Sequence, residues 1–164
     1  MAKDDRTNVM RLLAAANIAY SDHQYDPETT DGEAVARLVG KGVEETFKTL
    51  VTQAASGKNY VFVIPVHVEL DLKAAARAVN EKSIDMIPQK NLFPLTGYVH
   101  GGCSPVGLKR SFPVVFDQSC LELPEVTLSA GKRGRQITVS PKDPINYLKA
   151  STAPLTRNKT SSKS

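Results

Sequence analysis

The most apolar stretch of the chain, Val61 to Val68, is eight residues long and carries Pro65 and His67 inside it. A membrane helix needs about 20 apolar residues, so this stretch is a strand and not a span. Over Tyr60 to Leu70 the residues Phe62, Ile64, Val66, Val68 and Leu70 fall on one face, the period-two pattern of a strand with one side turned to a core. Thr46 to Thr52 reads as its hairpin partner across the polar turn Ala55 to Asn59. Pro65 has no amide to give a ladder, which predicts an edge strand or a bulge there.

Short helices surround this ribbon. Thr7 is placed to cap a helix through Val9, Leu12, Leu13 and Ala16, which ends near Asn17, and Ile18 to Tyr25 reads as a strand. Asp31 caps a second helix that Gly40 stops, and Asp71 caps an alanine-rich helix from Leu72 to Val79. Short strands are predicted near Ile84 to Met86, Tyr98 to His100, Val114 to Phe116, Glu125 to Leu128 and Gln136 to Val139, the last two joined by the turn Gly131 to Gly134. Ser140 and Pro141 open a final helix through Tyr147 and Leu148. Strand and helix do not alternate as a doubly wound parallel sheet requires, so the fold class is mixed α+β, a curved, barrel-like sheet flanked by short helices.

With 164 residues, no repeat and no linker, the chain has the length of one domain, assigned to residues 1–150. Residues 151–164 are rich in Ser, Thr and Lys and read as a disordered basic tail; deleting residues 155–164 is expected to leave folding intact, because so little there is apolar. The N-terminus leads into no apolar signal core, which predicts a cytoplasmic protein with no membrane partner. Cys103 and Cys120 then read as free thiols. Residues 1–100 hold 11 Lys and Arg against 13 Asp and Glu, a net −2, whereas residues 101–164 hold 10 against 4, a net +6. That basic second half suits a polyanionic partner, since lysine and arginine bind phosphates by releasing condensed counterions.

Familiar catalytic signatures are missing. His23, His67 and His100 stand 44 and 33 residues apart, no Cys or His pair has zinc-site spacing, and no phosphate loop, dinucleotide fingerprint or serine elbow occurs. Cys103 in Gly101-Gly102-Cys103-Ser104-Pro105 is either a nucleophile beside glycine amides or a thiol filling a turn, and Ser104 is a turn residue bonding its own backbone. The glycines themselves form a side-chain-free wall against which a small substrate could lie. Lys48 stands in an apolar strand pattern between Phe47 and Thr49, a costly place unless its ammonium reaches water or an anion; it either enters a cleft or points outward from an edge strand. Asp143 suits the first turn of the last helix, and Gly131 to Arg135 is either a solvated hairpin tip or a phosphate contact through Lys132 and Arg133.

Four segments taken in order, Phe47 to Val51 (FKTLV), Leu70 to Ala76 (LDLKAAA), Thr96 to Arg110 (TGYVHGGCSPVGLKR) and Ser129 to Gly134 (SAGKRG), resemble the YbaK/EbsC family of bacterial aminoacyl-tRNA deacylases, related to the editing domain of prolyl-tRNA synthetase. The resemblance implies trans-editing without a cofactor or metal: hydrolysis of Cys-tRNA(Pro), or Cys-tRNA(Cys), with the substrate's own thiol attacking its ester and prolyl-tRNA synthetase as a partner. It makes Lys48 the essential lysine, sets Tyr25, Gly101, Gly102, Ser104 and Pro105 at the aminoacyl pocket, and matches Asp143 to a late acidic residue near it. Pro94, Leu95 and His100 depart from the family pattern, so a deacylase for another small amino acid and a noncatalytic tRNA- or synthetase-binding module stay open as alternatives.

Overall fold

The computed structural model describes residues 5–159. Its helices are α1 (Asn8–Ala15), α2 (Gly32–Leu38), α3 (Leu72–Ala78), α4 (Leu92–Thr96) and α5 (Lys142–Leu148). Its strands are β1 (Ser21–Gln24), β2 (Phe47–Ala54), β3 (Asn59–Pro65), β4 (Val68–Leu70), β5 (Ile84–Met86), β6 (Val114–Asp117), β7 (Val126–Lys132), β8 (Arg135–Val139), β9 (Ser151–Ala153) and β10 (Thr156–Asn158). The caps are local chemistry: the Thr7 hydroxyl accepts from the Met10 amide at 3.2 Å, Asp31 from Ala34 at 3.1 Å, and Asp71 from both Lys73 and Ala74 at 3.1 Å.

The strands form a five-stranded sheet in the order β5-β2-β3-β6-β9, a three-stranded sheet β1-β8-β7 and the pair β10-β4. β2 and β3 are antiparallel while β3-β6 and β6-β9 are parallel, so the large sheet is mixed, in an α+β fold. The two larger sheets touch at a parallel bridge between Thr46 and Thr127, where the Thr127 amide donates to the Glu45 carbonyl at 2.8 Å. Among the described residues their pairing goes no further, and the barrel is not closed.

β3 lies in the middle of its sheet, not at the edge that Pro65 suggested, because Pro65 is the strand's last residue and the missing amide falls where the ladder ends. The Tyr60 to Leu70 run breaks there: Val66 and His67 turn the chain into β4, so one continuous face does not form. Both faces of β3 are covered instead, Val61 and Val63 entering one core cluster with Phe47, Phe116 and Leu128, and Phe62 and Ile64 entering another with Ala75, Val115 and Leu155. Tyr98 to His100 is not a strand; it leaves α4 as a loop in which the buried Tyr98 hydroxyl donates to the Val106 carbonyl.

The largest correction concerns the end of the chain. The composition from Ser151 onward predicts a disordered tail outside the domain, yet β9 adds to β6 and β10 pairs with β4 through Thr156–Leu70, Arg157–Glu69 and Asn158–Val68. Leu155 between them is fully buried, its amide donating to the Asp117 carboxylate at 3.0 Å and its carbonyl accepting from the Asp71 amide at 2.7 Å. One large apolar side chain and two strand edges in need of partners outweigh a polar composition. The rest of the expected tail, residues 160–164, lies outside the described residues.

Candidate functional site

The Thr46–Thr127 bridge is where the two larger sheets part, and beyond it opens a cleft of about 430 Å³. β2 contributes Phe47, Lys48, Thr49 and Leu50; Ser129 of β7 and Gln136 of β8 face them from the other sheet. The cleft is completed by Tyr25, Thr30, the start of α2, Leu92 and the loop residues His100, Gly101 and Cys103, with Thr30 and Gly101 side by side. Tyr25 is tied to the three-stranded sheet through its amide, which donates to the Gly134 carbonyl at 2.9 Å.

Lys48 is the second residue of β2, outside the stretch Thr52 to Ala54 that pairs with β5, and its side chain leaves a face of the sheet to line the cleft. In the β2-β3 ladder it stands opposite Ile64, a fully buried residue, so its stem lies on apolar surface and its ammonium is half-buried. Burial lowers the Lys48 pKa below the ordinary lysine value, and the positive charge of Lys159 lowers it further; Glu69, Glu33 and Asp31 pull the other way. A cation held at the mouth of a cleft with its own water partly removed is suited to a phosphate or to a carbonyl oxygen that gains negative charge.

At Gly101 the lining of the cleft is main chain. Gly101 has φ of +87°, where an L side chain is strained, and a Cβ there would stand 3.2 Å from Thr30 Cγ2 and 3.3 Å from Arg133 Nε. Gly102 packs its backbone on the β7-β8 hairpin, where a Cβ would meet the Arg133 amide nitrogen at 3.0 Å and the Lys132 carbonyl carbon at 3.1 Å. Arg133 locks the two pieces together, its Nε donating to the His100 carbonyl at 2.7 Å. Lys132 and Arg133 are both exposed at the hairpin tip beside the loop.

Cys103 borders the cleft but is not poised to attack anything. Burial pushes its thiol up to about 12, which leaves it protonated at neutral pH, and it packs in the core with Tyr98 and Val106. Both cysteines are unpaired. Among the described residues no group of three acidic, histidine or cysteine side chains is placed to hold a metal ion, and no helix is long and apolar enough to cross a membrane.

Of the residues singled out in the sequence, Lys48, Tyr25 and Gly101 meet in this cleft. Gly102 stands behind Gly101 as a spacer. Ser104 is fully buried with its hydroxyl accepting from the Val106 amide at 3.1 Å, and Pro105 lines a separate hollow with Leu12, Phe112 and Tyr147. Asp143 lies in the first turn of α5 and does not line the cleft. Sequence reasoning missed Ser129 and Gln136, which are cross-strand partners. Gln136 is 7% exposed, and its buried Oε1 accepts no hydrogen bond within the described protein, so a donor entering the cleft there would satisfy it. The available signal was a glutamine in a strand that directly follows the hairpin turn.

Known proteins share this architecture. Residues 26–147 match the family model of the aminoacyl-tRNA editing domain. The chain is 37% identical over 139 residues, 84% of its length and 85% of the relative's, to an Enterococcus faecalis protein named as a Cys-tRNA(Pro)/Cys-tRNA(Cys) deacylase, EbsC. A crystal structure described as a trans-editing enzyme for prolyl tRNA synthetase superposes with a TM-score of 0.78 at 25% identity, covering 92% of this chain and 97% of that one. The hypothetical protein APE2540 superposes with a TM-score of 0.85 at 23% identity, over 92% of this chain and all of that one, a likeness of fold.

Proposed function

The chain belongs to the aminoacyl-tRNA editing domain family, and from that premise we propose that it is a trans-editing deacylase that removes cysteine from Cys-tRNA(Pro) and Cys-tRNA(Cys). The observation that carries this reading is the pairing of one half-buried ammonium, Lys48, with a backbone wall at Gly101 in a cleft whose thiol is inert. In such a site Cys103 is no nucleophile. The site can orient an ester and stabilise charge on it.

The acceptor end of the tRNA enters at Lys48, which holds the ester carbonyl or the adjoining phosphate. Gly101 bounds the aminoacyl group, Gly102, Ser104 and Pro105 fix the loop's shape behind it, Tyr25 lines the same cleft, and Gln136 Oε1 accepts from the substrate's amino group. The substrate thiol then attacks its own ester carbonyl: a sulfur–carbon bond forms, the bond from that carbon to the ribose oxygen breaks, and the thiol proton passes to the ribose oxygen. The free tRNA leaves with a cysteine thiolactone that water opens, so the enzyme's own step is a lyase step and the net result a hydrolysis. Lys132 and Arg133 contact acceptor-stem phosphates, and prolyl-tRNA synthetase supplies the tRNA that a domain this small has little surface to select. The likeness to the trans-editing enzyme for prolyl tRNA synthetase supports the partnership.

The test is loss of the ester from Cys-tRNA(Pro), Ala-tRNA(Pro) and Pro-tRNA(Pro). Fast release of cysteine alone is expected, and persistence of all three esters would overturn the reading. Cys103→Ser is expected to stay within about threefold of the native rate, since a buried neutral thiol is no nucleophile. Complete loss of activity in a folded Cys103→Ser chain would assign the attack to the protein after all.

A further inference from the structure

Beside the cleft, at the residue that follows its lining residues Asp31 and Gly32, the end of the chain brings in a second cation. β10 is laid on β4 by its ladder and by an ion pair between Arg157 and Glu69 at 3.2 Å, and the chain emerging from it places Lys159 Nζ in an ion pair with Glu33. Glu33 is in the first turn of α2, directly after the cleft residues Asp31 and Gly32. The same lysine is close enough to Lys48 that its charge helps to lower the Lys48 pKa. The groups that face this place are therefore Lys48, Lys159, Glu33, Asp31 and Glu69, with His67 and Arg37 also acting on Glu33.

Resting on the deacylase reading above, we propose that Lys159 is a positioning residue that binds a phosphate of the tRNA 3′ end and so steers the ester to Lys48. An ammonium on a flexible stem, held by a carboxylate at the surface, exchanges that carboxylate for a phosphate at little cost, because an exposed ion pair is weak and screened by salt. Glu33 is the resting partner: it keeps Lys159 beside the cleft while the cleft is empty and offsets the repulsion between the two lysines. Lys132 is exposed on the hairpin of the other sheet, and Arg133 there is held to the His100 carbonyl beside the cleft residue Gly101, so further cations stand near the cleft.

The experiment is titration of uncharged tRNA(Pro) with the full-length native chain and with Lys159→Gln and Lys159→Arg, between 50 and 200 mM salt, beside Cys-tRNA(Pro) deacylation by each. Lys159→Gln is expected to weaken binding several-fold, raise KM with kcat nearly unchanged, and reduce the slope of log affinity against log salt by about 0.7, the value for one phosphate on a single strand. Lys159→Arg should restore the slope. With tRNA lacking its 3′ terminal CCA, the native and Lys159→Gln chains should bind alike. If the native chain deacylates but Lys159→Gln keeps the native slope and KM, the assignment of Lys159 falls and the deacylase reading stands. If the native chain hydrolyses none of the esters, the deacylase reading falls first and this inference with it.

Discussion

A Lys48→Met chain is expected to lose deacylation by about 10²–10³-fold, the loss typical when one preorganised electrostatic group is taken from a transition state, and to melt at or above the native temperature. The two effects have one cause. Lys48 lies against apolar surface opposite Ile64 and near a second positive charge, so its ammonium is a burden on folding that methionine, of similar length and no charge, removes. The sign can be checked with pH. Because the folded chain holds Lys48 below the ordinary lysine pKa, the unfolded chain binds more protons between the two values, and this residue makes the native protein more stable as pH rises through that window towards 10.5. The methionine chain lacks that gain, so its advantage in Tm should be largest near neutrality and should shrink at alkaline pH. An active Lys48→Met chain would remove Lys48 from the mechanism. A chain that melts well below the native one would mean that the ammonium, not the stem, holds β2 in place.

Deleting residues 155–164 is the second substitution with a large expected effect, here on folding. Leu155→Ala alone should cost about 2–5 kcal/mol, the range for truncating a fully buried leucine, or roughly 5–15 °C in Tm for a domain of this size. The deletion goes further, because it also strips the Asp117 carboxylate and the Asp71 amide of their partners at Leu155 and exposes the edge of β4. Asp71 caps α3, so the loss should spread to that helix. Thermal melts followed by circular dichroism decide the matter, and an unchanged Tm in both chains would show that β10 contributes nothing to stability.

What could be read in the sequence was local. Thr7, Asp31 and Asp71 are recognisable caps because the bond each makes spans three residues or fewer, and the Lys132 to Arg135 turn is legible for the same reason. β9 and β10 were not legible: three residues each, polar, and structured only because β6 and β4, about 35 and 90 residues away, have edges to offer. Pro65 was misplaced because a missing amide marks a strand end as well as a strand edge. The cleft shows the same division. Lys48, Tyr25 and Gly101 carry a pattern that resemblance picks out, whereas Gln136 became visible once the topology set its unsatisfied oxygen opposite Lys48's sheet.

The wall at Gly101 and Gly102 has a consequence for how such a protein can diverge. A surface made of main chain has no side chain for mutation to exchange, and a Cβ added to it would stand 3.0–3.3 Å from Thr30 and the hairpin and, at Gly101, in a strained left-handed backbone. A change at these two codons therefore costs structure before it offers a new preference. The freedom to acquire a different amino acid as substrate is displaced onto the apolar side chains that line the same cleft, Val35, Leu50 and Leu92, where a single methylene more or less resizes the space. In descendants of this chain the history of selectivity will be written in α2, β2 and α4, while the loop that forms the wall stays silent.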